Sequence, residues 1–495
     1  RRPPRSTLFP YTTLFRSTDG VARAVVTIVG SRGNFCTGAL IAPKVVLTAA
    51  HCVQPGADYK IVEYGADRQP KLQDVKTVAI HPGFRMQAMT DHVATADVAL
   101  LQLTAPVAGK APAALGMPNI PIQVGGRFTV ADLNLAEIIR YAQGDAALMA
   151  VEDFGGTVLD APIEVVTADH QNKPDVAVNI GKQWIDVEKV DVFVDLAASN
   201  VGLAIANLAK DKNVVNLNSG SASSDLTGTQ CSPNTVHWVY DTYMLANGTG
   251  KALVKSGGDT WFFLTADYAF GQALERDTSA VVTANGGKVL GSVKHPLNNA
   301  DFSSFLLQAQ SSKAKIVGLA NAGGDTTNAI KQAAEFGIVA GGQNLAGIVM
   351  FISDIHSLGL KLAQGLIITE AYYWDLNDRT RAFGKRFFER MKRMPTMNQA
   401  ATYSATLHYL NAVKAAGTKE TKPVLAKMRA TPVRDAFTDN GVVREDGRMV
   451  HSMFLFEVKK PEESKAPWDY YKVLAEVPGD QAFRPLKDGG CPLIK

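Results

Sequence analysis

Up to about residue 130 the apolar positions fall in short, β-branched runs parted by turn residues. Residues 21–29, 35–41, 44–48, 75–80 and 98–103 read as strands, the second and third separated by Ala42-Pro43. Many short strands with few helical periods predict an all-β barrel. From about Ala131 the pattern changes to alternating strands and helices. Residues 136–154 read as a helix that carries Glu152 and Asp153 near its end and is closed by Gly155-Gly156. Strands follow at 163–168, 190–195, 214–217, 261–265 and 315–319, with helices at 174–186, 200–210, 271–284 and 328–336. Such β-α-β alternation predicts parallel sheets covered on both faces, and the length suits two doubly wound lobes. The expected division is 18–130 for the barrel and 131–495 for the α/β part. Within the latter, lobe 1 takes 131–250 and 376–432, and lobe 2 takes 251–375 and 433–495.

Composition narrows this picture without redirecting it. With 46% hydrophobic and 20% charged residues, the chain is globular, and 495 residues require two or three compact units. A net charge of +4 is small for this length and argues against a nucleic-acid partner. No apolar run is long enough to span a bilayer, and the stretch 25–29 is too short for a signal-peptide core. The chain begins at Arg1 with no Met, so a targeting peptide is expected to be missing from it. Residues 1–17 nearly repeat themselves around Pro10. They resemble translated sequencing-adapter DNA and are set apart from the fold as such an artefact or as disordered chain. The four cysteines, Cys36, Cys52, Cys231 and Cys491, fit one or two disulfides or a few inert buried thiols. No Cys-x-x-Cys occurs, so neither a zinc nor a redox site is expected, and no cofactor is called for.

Two sets of residues resemble known families. Phe35-Cys36-Thr37-Gly38-Ala39-Leu40-Ile41, Leu47-Thr48-Ala49-Ala50-His51-Cys52 and Asp97-Val98-Ala99-Leu100-Leu101 resemble the first barrel of the trypsin-like serine proteases. The resemblance implies that His51 stands at the general base, Asp97 at the residue that orients it, and Cys36 at the disulfide partner of Cys52. A bridge of that span stabilises by roughly 3 kcal/mol on chain-entropy grounds and implies an oxidising compartment. The serine, the oxyanion-hole amides and the second barrel have no counterpart. His51 and Asp97 are therefore expected to be vestigial, and no peptidase activity is expected. A lone first barrel should expose the face that its partner normally covers, making 18–130 poorly soluble by itself.

The larger part resembles the solute-binding proteins of branched-chain-amino-acid-type ABC importers, the type I periplasmic binding fold. Met149-Ala150-Val151-Glu152-Asp153-Phe154-Gly155-Gly156, Asp169-His170-Gln171-Asn172-Lys173-Pro174-Asp175, the run from Asn218 to Thr227 and Asp267-Tyr268-Ala269-Phe270-Gly271 carry it, with Lys331 to Gly337. The family's first strand is replaced by protease-like residues 127–130, so one wall of the first lobe is expected to be incomplete. Together with the adapter-like start, this implies a spliced gene model more than a new bifunctional enzyme.

Ligands of open α/β sheets sit beyond the carboxyl ends of strands. The loops holding Ser199-Asn200 and Ser221-Ala222 lead into helix starts, where free amides favour an anion, with serine capping as the plainer alternative. Tyr268, Phe270, Asn321 and Ala322 are expected to form the opposing wall. Asp354 is a candidate partner for a ligand ammonium, or else a surface or capping aspartate. Tyr372, Tyr373 and Trp374 read as hinge, core or ligand residues. Cys231 and Cys491 are a candidate second bridge. The resulting expectation is a periplasmic or secreted binding protein that captures an amino acid or similar small carboxylate or amide by hinge closure and docks on an ABC permease. The alternative is a secreted trypsin-like endopeptidase with a ligand-sensing domain.

Overall fold

The computed structural model describes residues 24–31, 35–53, 55–64, 70–85, 98–107, 110, 112, 128–134 and 137–494. They belong to two compact units, Arg1–Val124 and Gly125–Lys495. The adapter-like residues 1–17 and Asp97 lie outside the described residues.

In the first unit six strands close into an antiparallel barrel, in the order β1-β2-β3-β6-β5-β4. They are β1 (Val25–Gly30), β2 (Phe35–Ala42), β3 (Val45–Thr48), β4 (Tyr59–Tyr64), β5 (Pro70–Ile80) and β6 (Ala99–Leu103). Strand periodicity builds the core: along β6 Ala99, Leu101 and Leu103 point inward, while Leu100 and Gln102 point out. Val26, Ile28, Leu40, Val46 and Ile61 complete the interior. β4 was not expected from the sequence, because Lys60 and Glu63 interrupt its apolar run. Cys36 and Cys52 are bonded, with their Cα atoms 6.0 Å apart.

The second unit holds a six-stranded sheet in the order β12-β11-β10-β7-β9-β8. Its strands are β7 (Phe128–Asn134), β8 (Thr157–Val158), β9 (Ala161–Asp169), β10 (Val192–Asp195), β11 (Val215–Asn218) and β12 (Thr235–His237). All pair in parallel except the short edge strand β8. A second sheet, all parallel, runs β14-β13-β15-β16. It is built from β13 (Thr260–Ala266), β14 (Lys288–His295), β15 (Ile316–Ala320) and β16 (Asn344–Gly347). Two antiparallel ribbons complete the unit: β17 (Ile367–Glu370) with β20 (Met453–Val458) and β21 (Tyr471–Val477), and β18 (Val442–Val443) with β19 (Met449–Val450). β10 and β15 are buried at every position, as central strands covered by helices on both faces must be.

Three findings revise the boundaries. β7 fills the place of the strand that the sequence reading took to be lost, pairing with β9 and β10 on either side. The expected border at residue 130 thus falls inside a strand of the α/β sheet. Residues 433–450, expected in lobe 2, lie against the first sheet instead. His237 donates its N–H to Gly447 O at 2.8 Å, and buried Arg448 reaches the carbonyl of Tyr240 at 3.3 Å. The helix expected over 174–186 keeps α geometry only through Gln183, then widens into the turn Trp184–Glu188 and ends at left-handed Lys189.

Strand order locates the crevices. In the first sheet the chain steps from β7 out to β9, then returns past β7 to β10, β11 and β12. In the second it steps from β13 to β14, then returns to β15 and β16. Each reversal parts two neighbouring loops at the carboxyl edge and leaves a crevice between β7 and β10, and another between β13 and β15.

Candidate functional site

Beyond β10 the backbone turns sharply. Asp195 and Leu196 both adopt left-handed φ values, 75° and 69°, which non-glycine residues rarely hold without outside support. The support comes from the loop after β11. Ser221 Oγ lies 2.5 Å from Leu196 O and 2.9 Å from Ala198 O. The Ser219 and Gly220 amides donate to Asp195 O, each at 3.1 Å. Gly220 is required by close approach: a Cβ there would sit 2.6 Å from Ala197 Cα and 2.6 Å from Asp195 Oδ1. The turn delivers Ser199 as first residue of the helix Ser199–Lys212, where unpaired amides and the helix dipole favour an anion.

The expected ligand residues divide into two groups. Ser199 and Ala222 are brought together: Ser199 Oγ accepts the Ala222 and Ser223 amides at 3.2 and 3.1 Å. The Ser199 hydroxyl proton is not used in those two bonds. Asn200, next to Ser199 in the helix, turns its Nδ2 to Asn172 O at 3.2 Å, while its Oδ1 is buried without a hydrogen-bond partner. Ser221 is as buried as Ser199, but its hydroxyl is committed to carbonyls, so it braces the turn and offers no proton to a ligand. Asn321 is likewise engaged at both ends. Its Nδ2 donates to His295 Nε2 at 3.0 Å, and its Oδ1 accepts Thr326 Oγ1 at 2.7 Å. Ala322 is half-buried against the core. Phe270 is buried, its ring 5.8 Å from that of half-buried Tyr268. Tyr372, Tyr373 and Trp374 bond to Thr380 O and Trp468 O and pack in the core.

The carboxyl edges of the two sheets face one another. Tyr240, beyond β12, meets Phe351, beyond β16, ring to ring at 6.1 Å. The Tyr240 hydroxyl donates to Gly220 O at 3.1 Å. Burial pushes its pKa up, opposed by a hydrogen bond with Asn398 and reinforced more weakly by nearby Tyr268, Asp195 and Asp354. Asp354 accepts the Phe351 amide at 2.9 Å, and desolvation raises its carboxyl to about 6. The sequence reading did not single out Tyr240 or Phe351, whose meeting depends on the approach of two strands far apart in the chain. Behind the crevice, Asp277 gathers Ser224 Oγ and Thr242 Oγ1 at 2.6 Å, Arg276 Nε at 3.0 Å and Arg484 at 3.1 Å. Cys231 is bonded to Cys491, tying the C-terminal segment to the first sheet's side.

The family model described as periplasmic binding protein matches residues 138–465. The chain belongs to the periplasmic binding protein family. A crystal structure of a periplasmic binding protein from Burkholderia mallei is 50% identical, with a TM-score of 0.73, over 75% of this chain and 99% of that one. A branched chain amino acid ABC transporter periplasmic ligand-binding protein from Burkholderia xenovorans is 37% identical, with a TM-score of 0.67, over 74% of this chain and all of that one. Most of the chain therefore has the type I periplasmic binding fold, and its main body is a solute-binding protein, not an enzyme. Homologues bind small molecules and work with a membrane permease, in the periplasm or outside the cell. No helix among the described residues is long and apolar enough to cross a membrane.

The trypsin family model matches residues 15–131. Coagulation factor XII of Cavia porcellus is 41% identical over 73 residues, and the chain spans 12% of that protein's length. The N-terminal region is thus trypsin-like, and its match runs into β7, a strand of the other fold. His51 sits exposed in the single turn Ala50–Cys52.

Proposed function

We propose that this periplasmic binding protein captures an amino acid or a similar small carboxylate or amide by hinge closure and presents it to an ABC permease, in the periplasm or as a secreted protein. The observation that carries the reading is the apposition of the two carboxyl edges, each with its own switch-point crevice. A carboxylate suits the start of the helix Ser199–Lys212, with the Ser199 hydroxyl as a donor. Tyr268 and Phe270 would cover an apolar side chain, and Asp354 would pair with an ammonium group. Ligand that touches both sheets binds the closed state preferentially and shifts the population toward it. A micromolar Kd corresponds to about −8 kcal/mol.

The name of the Burkholderia xenovorans relative, a branched chain amino acid transporter component, supports an amino-acid ligand. More distant proteins of the same fold, from Rhodopseudomonas palustris, hold 3,4-dihydroxybenzoic acid and benzoate, which adds aromatic carboxylates to the compounds worth testing. In this reading the trypsin-like region is catalytically inactive, and the endopeptidase alternative is not favoured.

The test is calorimetric titration of the full chain with amino acids, small amides and aliphatic and aromatic carboxylates. One class should bind at a single site, and Ser199→Ala should weaken it tenfold or more. Absence of binding across the panel, or binding indifferent to Ser199→Ala, would contradict the proposal.

A further inference from the structure

The barrel brings Cys36 to the adjacent pair His51 and Cys52, sixteen residues further along the chain. Cys36 lies on β2, while His51 and Cys52 share the turn Ala50–Cys52 that follows β3. Their ligand atoms all lie within 4.8 Å of one another. His51 Nε2 is 3.5 Å from Cys52 Sγ. A tetrahedral zinc ion, with bonds of about 2.3 Å to sulfur and 2.0–2.1 Å to nitrogen, requires N···S edges of about 3.6 Å and S···S edges of about 3.8 Å. Of the two N···S edges, the one to Cys52 already has this length, and the one to Cys36 lies within 4.8 Å. The Cα atoms of Cys36 and Cys52, 6.0 Å apart, leave room for the S···S edge once the sulfurs part. Cys52 is buried, Cys36 half-buried and His51 exposed, so the pair of sulfurs sits at the wall and the fourth position opens to water.

We propose that reduction of the Cys36–Cys52 bridge converts this corner of the barrel into a Zn²⁺ site held by Cys36 Sγ, Cys52 Sγ and His51 Nε2. With a trialkylphosphine as reductant, the S–S bond breaks and the phosphine is oxidised to its oxide with the oxygen of one water. That water's two protons complete the two thiols. Zinc binding then displaces both thiol protons, because thiolates and a neutral imidazole are the ligands. The metal rejoins the same two segments that the bridge had joined. Two thiolates and one imidazole favour a thiophilic ion over calcium or magnesium, which require oxygen ligands.

The experiment uses the full chain, reduced with phosphine without air and titrated with Co²⁺ alone, then with Zn²⁺. The expected result is the intense visible spectrum of tetrahedral cobalt with a thiolate charge-transfer band, saturating and then abolished by Zn²⁺. His51→Ala, a change at an exposed position, should weaken Co²⁺ binding at least tenfold, and Cys36→Ser should remove the spectrum. The double variant Cys231→Ser, Cys491→Ser should keep it. The oxidised chain should show none. A reduced chain without tetrahedral cobalt bands, bands unchanged by His51→Ala, or bands lost only with Cys231 and Cys491 would each overturn the proposal.

Discussion

Ser199 and Ser221 look alike in the sequence, each the small polar residue that follows a buried strand, yet their hydroxyls do different work. The difference lies in hydrogen-bond direction, which residue type cannot reveal. Ser221 donates to the carbonyls of a strained turn, so Ser221→Ala should cost about 1–2 kcal/mol of unfolding free energy while leaving ligand affinity near that of the parent. Denaturant melts beside titrations would show whether the two effects separate in this way. Asp354 is a second case. Its folded pKa of about 6 stands above the ordinary 3.8, so its contribution to stability is fully present below about 3.8 and is lost as pH rises through 6. A ligand ammonium needs the carboxylate, so binding below pH 6 must expel a proton. Affinity for an amino acid should rise by up to about tenfold per pH unit toward 6 and then level. Asp354→Asn should flatten that profile; an unchanged profile would remove Asp354 from the site.

At the scale of elements, regular structure was legible wherever periodicity was strong. The strand expected at 261–265 is observed as β13, and the helix expected at 271–284 begins two residues earlier. Legibility failed where pairing, not pattern, decides. β7 reads locally as a continuation of protease-like text, and only its parallel partners β9 and β10 assign it to the α/β sheet. β18 and β19 are too short to carry a period, so the attachment of 433–450 to the first sheet was invisible. Charged clusters were also opaque, because Asp225, Arg276, Asp277 and Arg484 meet only in the fold. Asp277 is buried and central to that cluster. Asp277→Asn should destabilise the second unit by about 1–2 kcal/mol, through weakened hydrogen bonds at the buried carboxylate, while half-exposed Arg276 falls back on solvent. A thermal melt unchanged by the substitution would show the network to be weak. Reduction of Cys231–Cys491, which closes a loop of 260 residues, should lower the same transition by more, about 5 kcal/mol on chain-entropy grounds.

At the scale of the whole molecule, each unit has its own core: the barrel interior around Ile28, Val46 and Leu101, and the larger clusters around the two parallel sheets. Leu72, Val78, Val98 and Leu100 are exposed on the first unit, and residues 18–130 expressed alone should be poorly soluble. A monomeric fragment with a cooperative melt would count against that expectation. Solute binding is assigned to the second unit alone, and ligand stabilises only the unit that binds it. Differential scanning calorimetry of the full chain, with and without the ligand found by titration, tests this most directly. The account predicts two transitions, of which only the larger moves upward, by an amount that grows with ligand concentration as mass action requires. A ligand that shifts the smaller barrel transition, or neither transition, would contradict it.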